Sequence, residues 1–297
     1  MTMRQMTRSL VTPILGVYLG LVLIVVVAGL SVAVLGQRQL RDGIRSADLA
    51  LAQSIALDLD DRLRLARNAV LALSSLEPVT RGDAEAARAA FKTFKAARPE
   101  VDRVYWLDNS GRMALSEPFD VRTIGADYSE QPIFLRARTS PNLFVEAGAV
   151  DLTTYNPVAI VVQPVYAPDG VFVGALASNL SLDDISAPIR TIVADQERQG
   201  ATMRIEVLNA EGRLVASAQR ERILQDMSEE LPIAAKALQG GLAHEQFEDW
   251  RGDSWLASAA PMPGSGWAVV VQRPATQALR PISTFTRWLA SAALLLG

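Results

Sequence analysis

The chain holds several side chains able to bind a ligand and none arranged to transform one. It has no cysteine and a single histidine, His244, which excludes disulfides, thiolate chemistry and a multi-histidine zinc site from one chain. A lone histidine on a strand reads as structural or solvated, because metal sites need several ligands. No Walker A loop, GxSxG or HExxH occurs, so no catalytic constellation and no cofactor is expected. Asp108-Asn-Ser-Gly111 lacks the spacing and terminal glutamate of a calcium loop and is read as a turn. What remains is polar and aromatic: Trp106, Tyr128, Gln131, Phe134, Asp151 and Asn179. Such groups hydrogen-bond and stack, which is the chemistry of recognition. Each also has a plainer reading. Asp151 opens the polar run Asp151-Leu-Thr-Thr-Tyr155, and aspartate favours turns through local side-chain bonds. Tyr128 and Phe134 serve equally to pack a short helix on a sheet. Tyr105 and Trp106 point to opposite faces of a strand, so at most one faces a pocket. Asn179 ends a strand; its first reading is a cap for the helix that begins near Ser181, its second a pocket residue.

The elements that would position these residues lie between two apolar spans. The first covers 11–36, and no charged residue lies between Arg8 and Arg38. About twenty apolar residues suffice to cross a bilayer, whereas a signal-peptide core is about 7–15 residues long, so an anchor is expected. The second span begins near Ile282 and reads Trp288-Leu-Ala-Ser-Ala-Ala-Leu-Leu-Leu-Gly297, where the sequence stops. A helix halting in mid-membrane suggests a receptor whose output domain lies beyond this sequence. Arg4 and Arg8 on one side are matched by Arg38, Arg41 and Arg45 on the other, so the positive-inside count gives no orientation. The net charge of −3, with no long basic run, leaves no electrostatic footprint for nucleic acid.

After the first span, Ala52, Ile55, Leu59, Leu63, Ala66, Val70 and Leu73 recur at spacings of three or four, which predicts a long helix over 37–76 closed by Pro78. A short helix over 83–97 has Asp83 as N-cap. Strands follow near 104–107 and 112–116, then a short helix over 130–138. Further strands are predicted at 143–147, 158–165 and 171–178, the last two joined at Asp169-Gly170, and a helix over 183–196. The pattern then restarts: Leu107-Asp-Asn-Ser-Gly-Arg-Met-Ala-Leu-Ser116 aligns with Leu208-Asn-Ala-Glu-Gly-Arg-Leu-Val-Ala-Ser217. A second matched landmark, Pro164–Val171 with Pro261–Trp267, keeps the same order, so two related modules are expected. The second has strands near 203–208, 214–218, 244–250, 254–260 and 267–272, and a helix over 229–238 that stops at Gly240-Gly241.

This order resembles the double Cache (dCache) family of bacterial extracytoplasmic sensor domains. The residues that carry the resemblance are Val104-Tyr-Trp-Leu-Asp-Asn-Ser-Gly111, then Gly125-Ala-Asp-Tyr-Ser-Glu-Gln-Pro132 with Phe134. Val162-Gln-Pro-Val-Tyr-Ala-Pro-Asp-Gly170 with Gly174 follows, and Gly264-Ser-Gly-Trp267 closes the second module. The resemblance implies an α+β fold: two PAS-like modules with antiparallel sheets on a long N-terminal helix, flanked by two transmembrane helices. It divides the chain into a cytoplasmic tail (1–10), a first transmembrane helix (11–36), stalk and short helices (37–100) and a membrane-distal module (101–182). A connecting helix (183–200), a membrane-proximal module (201–274) and a juxtamembrane helix leading into the second span (275–297) complete it.

The family binds small molecules in the distal module and passes the signal to a cytoplasmic output: a histidine kinase, which is the first expectation here, a chemoreceptor region or a diguanylate cyclase. The resemblance thus implies a non-enzymatic, membrane-embedded homodimer in the bacterial inner membrane, with its modules outside the cytoplasm. Some members hold an amino acid with an arginine on the short distal helix and an aspartate further on. Gln131 stands where that arginine would be, and Asp151 lies where the amine-binding aspartate would be. The expected ligand is therefore neutral or cationic, an amine or purine-like molecule, because the strong bidentate carboxylate clamp is lost. The alternative is a membrane-anchored partner-binding module with no small-molecule ligand.

Overall fold

The computed structural model describes residues 3–151, 154–249 and 251–278. The expected second span therefore lies outside the described residues. Helix α1 (Met3–Ser74) runs unbroken for 72 residues. From Asp48 to Leu73 one face of it is buried, through Ala52, Ile55, Ala56, Leu59, Leu63, Ala66, Val70 and Leu73. That is the three-and-four spacing of an amphipathic helix laid on a core. Pro78 does not stop α1, as its position suggested. It sits in the first turn of a separate helix, α2 (Glu77–Thr80), where its missing N–H is not needed. Asp83 caps α3 (Ala84–Ala96), accepting from Ala86 N at 3.0 Å.

Two antiparallel five-stranded sheets follow. The first contains β1 (Val101–Asp108), β2 (Met113–Glu117), β3 (Phe144–Val150), β4 (Pro157–Tyr166) and β5 (Phe172–Ser181), in the order β2-β1-β5-β4-β3. Helix α4 (Pro132–Thr139) covers one face, and α5 (Leu182–Arg198) leads to the second sheet. That sheet has β6 (Arg204–Leu208), β7 (Leu214–Ser217), β8 (Ala243–Glu248), β9 (Ser254–Met262) and β10 (Trp267–Pro274), in the corresponding order β7-β6-β10-β9-β8. Its helix α6 (Ile233–Leu238) is shorter than the periodicity predicts, because Pro232 stands at its N-cap. A four-residue helix, α7 (Ala275–Ala278), ends the description.

The repeat extends to single hydrogen bonds. In the first module Asp108 Oδ1 accepts from the backbone of Ser110 and Arg112; in the second, Asn209 Oδ1 accepts from Glu211 and Arg213. Gly111 and Gly212 close these turns with φ of +87° and +80°, a region open to glycine at little steric cost. Each turn is then strapped by the following loop, through Tyr128 N to Gly111 O and Met227 N to Gly212 O.

One face of both sheets packs on α1. Trp106, Leu115, Val161 and Leu176 from the first sheet and Val207, Val215, Val269 and Val271 from the second join the α1 stripe in a single core. Each sheet has a smaller second core on its other face, beneath α4 or α6. Polar ties fix the second module along the same helix: Arg67 Nη1 donates to Gly264 O at 2.7 Å, and Arg273 Nε donates to Asp48 Oδ1 at 2.6 Å. Among the described residues no helix is long and apolar enough to cross a membrane. Most side chains of 1–33 stand outside that description.

Gly174 shows how closely β5 approaches β1. A Cβ there would lie 2.1 Å from Leu107 O and 2.6 Å from Trp106 Nε1, at a φ of +151°. Overpacking against backbone costs about 3 kcal/mol or more, so Gly174→Ala is expected to lower the melting temperature by about 6–12 °C, read by calorimetry or circular dichroism.

Candidate ligand-binding site

Alternation along β1 decides which side chains face the cavity. Val104 and Trp106 turn towards α1, whereas Tyr105 faces the other way, under α4. Arg103 shares Tyr105's face and pairs in register with Asn179 of β5. On this side lies a cavity of about 570 Å³, lined from the first module by Arg103, Tyr105, Tyr128, Gln131, Asp151 and Asn179. Small-molecule sites fall at about 300–1,000 Å³.

A buried polar cluster forms one end. Asn179 Nδ2 donates to Asp151 Oδ2 at 2.7 Å, and Arg103 Nε lies 3.5 Å from the same oxygen. Arg103 Nη1 donates to Ser116 Oγ at 3.0 Å, and Thr154 N donates to Asp151 Oδ1 at 2.8 Å. Arg103, Asp151 and Asn179 are each less than one-tenth exposed, so the carboxylate and guanidinium offset each other's burial. Asn179 Oδ1 is buried without a hydrogen-bond partner. Breaking such a pair strands a charge. Asp151→Ala is therefore expected to cost about 3–5 kcal/mol in denaturant titration, with the double change Arg103→Met/Asp151→Leu recovering most of it.

The other end of the cavity is formed by two modules together. Glu146 and the β3 backbone meet Asn209, Glu211, Arg213 and Asp226 of the second module. Asn209 Nδ2 donates to Ala147 O at 3.3 Å across this seam. Burial pushes the Glu146 carboxyl up; Arg136, 3.5 Å away, pulls it back, and Glu211 pushes it up again.

Tyr105 and Tyr128 stand with ring centroids 6.1 Å apart. Burial holds both hydroxyls above the usual tyrosine range, and for Tyr105 the neighbouring Tyr128 and Asp151 add to it. The unfolded chain releases this proton near pH ~10 while the folded one retains it. The Tyr105 contribution is thus fully present below pH ~10 and is lost above it, at about 1.4 kcal/mol per pH unit. Urea midpoints measured from pH ~9 to ~11.5, spanning the ordinary tyrosine range, should fall less steeply for Tyr105→Phe than for the parent.

Of the six residues singled out from sequence, Tyr128, Gln131, Asp151 and Asn179 line the cavity. Trp106 does not: it is buried on the opposite face against α1, and Tyr105 takes the cavity side. Phe134 also lies away from the lining: it is fully buried on the inner side of α4, edge-on to Phe172 at 6.0 Å. The cap reading of Asn179 is overturned, because Ser181 Oγ accepts from Asp184 N and caps α5 itself. Asp151 is at once a turn residue, its carbonyl accepting from Tyr155 N, and a cavity residue. Arg103 escaped sequence reasoning, although counting two residues back from Tyr105 places it on the same face.

The second module has a counterpart cavity of about 350 Å³. There Glu206 is buried and held by Arg222 and by Gln272 Nε2 at 2.8 Å, so the module's own arginine meets its carboxylate.

The paired sheets on one long helix, with a cavity on the face away from that helix, match a known family: the Cache domain profile dCache_1 aligns with residues 7–282. The chain belongs to the Cache domain family. Solved domains of membrane receptors resemble it in fold. One is the extracellular domain of rpHK1S-Z16, assigned as a histidine kinase: 16% identity, TM-score 0.68, covering 80% of this chain and 97% of that one. The ligand-binding domain of the Campylobacter jejuni chemoreceptor Tlp3, solved with L-valine, has 13% identity and a TM-score of 0.62, covering 82% and 97%. That of the Pseudomonas aeruginosa amino acid chemoreceptor PctB, solved with L-Arg, has 12% identity and a TM-score of 0.63, covering 80% and 97%. No curated protein matches the chain in sequence.

Proposed function

We propose that this chain is the ligand-sensing input region of a transmembrane signalling receptor, with a small molecule bound in the first, membrane-distal module. The observation that carries this reading is the distal cavity, with its buried Arg103–Asp151–Asn179 cluster and the unsatisfied Asn179 acceptor. We assign 101–182 to the distal module, 183–200 to the connecting helix and 201–274 to the proximal module.

The uncharged stretch between Arg8 and Arg38 within α1 supports a membrane anchor at 11–36, with the second span from about 282 and both modules outside the cytoplasm of a bacterial inner membrane. The output is a separate cytoplasmic unit, for which a histidine kinase is the first expectation. Leu57, Leu65 and Leu71 are exposed on the side of α1 away from the core and support a homodimer along the stalk.

The lining favours a neutral or cationic ligand. Glu146, Asp151, Glu211 and Asp226 outnumber Arg103 and Arg213, and Gln131 offers hydrogen bonds without charge. A thermal-shift screen of the purified 297-residue chain against amines, purines, amino acids and organic acids tests the reading. A ligand that binds only the folded state stabilises it by about 2.7 kcal/mol at a hundred times its Kd. An amine or purine hit weakened by Gln131→Ala and Tyr128→Ala is the expected result. Those variants are chosen over Asp151→Ala because they leave the buried ion pair intact. No stabilisation by any compound would move the function to a partner-binding module.

A further inference from the structure

The part of α1 that follows the apolar span carries three arginines, Arg38, Arg41 and Arg45, all exposed. Spacings of three and four set them side by side on one face of the helix, where like charges repel and weaken it. Further along α1 the arginines are answered: Arg62 pairs with Asp58, Arg64 with Asp61, and Arg67 donates to Gly264 O. Among the described residues, Arg38, Arg41 and Arg45 form no ion pair. Arg41 Nη2 donates to the neutral Gln246 Oε1 of β8 at 2.8 Å. The only carboxylate between 37 and 47 is Asp42, and the next, Asp48, is taken by Arg273. On β8, Glu245 is paired with Lys236. The uncancelled charge is felt nearby: burial first, then Arg45 and Arg41, holds the His244 imidazole below its usual range.

Helix geometry gives the height of this stripe. At about 1.5 Å per residue, Arg38, Arg41 and Arg45 stand roughly 3, 8 and 14 Å beyond residue 36, where the apolar span ends. A headgroup layer is about 5–8 Å deep on each side of the hydrocarbon. Arg38 thus stands within that layer, Arg41 at its outer edge, and Arg45 within one Debye length of it, about 8 Å at physiological ionic strength. Basic residues beside the outer end of a span also oppose the usual bias of membrane topology. A stripe that strains both the helix and the topology calls for a fixed counter-charge, and the phosphates at this depth supply one.

Resting on the reading of 11–36 as a membrane anchor with the modules outside the cytoplasm, we propose that Arg38, Arg41 and Arg45 bind the headgroups of anionic phospholipids in the leaflet beside the modules. Guanidinium meets phosphate through paired N–H bonds. Arg41 spends one of its five donors on Gln246 and keeps the others for a headgroup. A headgroup held there is linked through one side chain to β8, so the second module is coupled to the charge of the membrane surface.

The test is to reconstitute the 297-residue chain in phosphatidylcholine vesicles and measure, by electron paramagnetic resonance, its association with spin-labelled phosphatidylglycerol relative to spin-labelled phosphatidylcholine. One arginine near an anionic headgroup corresponds to about a fivefold preference. The parent chain should therefore prefer phosphatidylglycerol by about fivefold or more, and the triple change Arg38→Gln/Arg41→Gln/Arg45→Gln should lower that preference at least about fivefold. The corresponding triple change to lysine keeps the charge and should keep the preference. An equal preference in the parent and the glutamine variant, no preference in the parent, or its loss in the lysine variant would overturn the proposal. Displacement of the labelled lipid by inorganic phosphate at constant ionic strength would assign the stripe to a soluble anion and overturn it too. Release of the parent chain from the vesicles by alkaline carbonate would overturn the anchor reading itself, whereas a chain that stays embedded without the preference overturns this proposal alone.

Discussion

Everything in this molecule leans on one apolar stripe of one helix. From Ala52 to Leu73, α1 supplies a continuous face against which both sheets bury their inner surfaces. Helices α3 and α5 add Phe91, Phe94, Ile189 and Val193 to the same core, whereas on the outer faces α4 and α6 run to only eight and six residues. Burial of apolar area is the main favourable term in folding, at roughly 25 cal/mol per Å². The shared helix therefore does more than orient the modules. It makes their cores one core, so that a sheet cannot shift on the stripe without disturbing contacts that the other sheet also uses.

Much of this was legible in the residues. Period-3.6 spacing along α1, the Asp83 cap, the Asp169-Gly170 hairpin and the repeated Gly-Arg turns are local signals, and local physics sets them. What escaped reading was decided by faces and by neighbours. Pro78 looked like a terminator because proline breaks helices, yet at the first turn of a new helix it is tolerated. Trp106 and Tyr105 alternate, and nothing local says which of them faces α1. Asn179 reads as a cap because it precedes a helix, whereas Ser181, two residues on, supplies the capping oxygen. The role of Asn209, Glu211 and Arg213 depends on how two sheets sit on the same helix, a relation that no window of sequence contains.

The site combines two environments. At the buried end, Arg103 and Asp151 are ion-paired and out of water, so their contribution is geometric: they hold Asn179 and the neighbouring strand ends in place. A cluster of this kind is intolerant of single changes but contributes little net charge. At the seam the carboxylates are more exposed, and Glu146 is only partly neutralised by Arg136. There a side chain can change its charge without stranding a buried partner. The counterpart cavity follows the same rule: Arg222 answers the buried Glu206 within the second module, as Arg103 answers Asp151 within the first.

The ion pair between Asp48 and Arg273 joins the start of the buried face of α1 to the last strand of the second sheet. Asp48 is almost wholly buried and its carboxyl is pushed up by burial, with Arg273 drawing it back. The stretch of chain that enters the modules and the strand that leaves them are thereby tied together, and the bonds of Arg67 and Asp60 to Gly264 tie the same helix and sheet again further along α1. Two elements pinned at two places can neither slide nor swivel past each other unless one of the pins lets go.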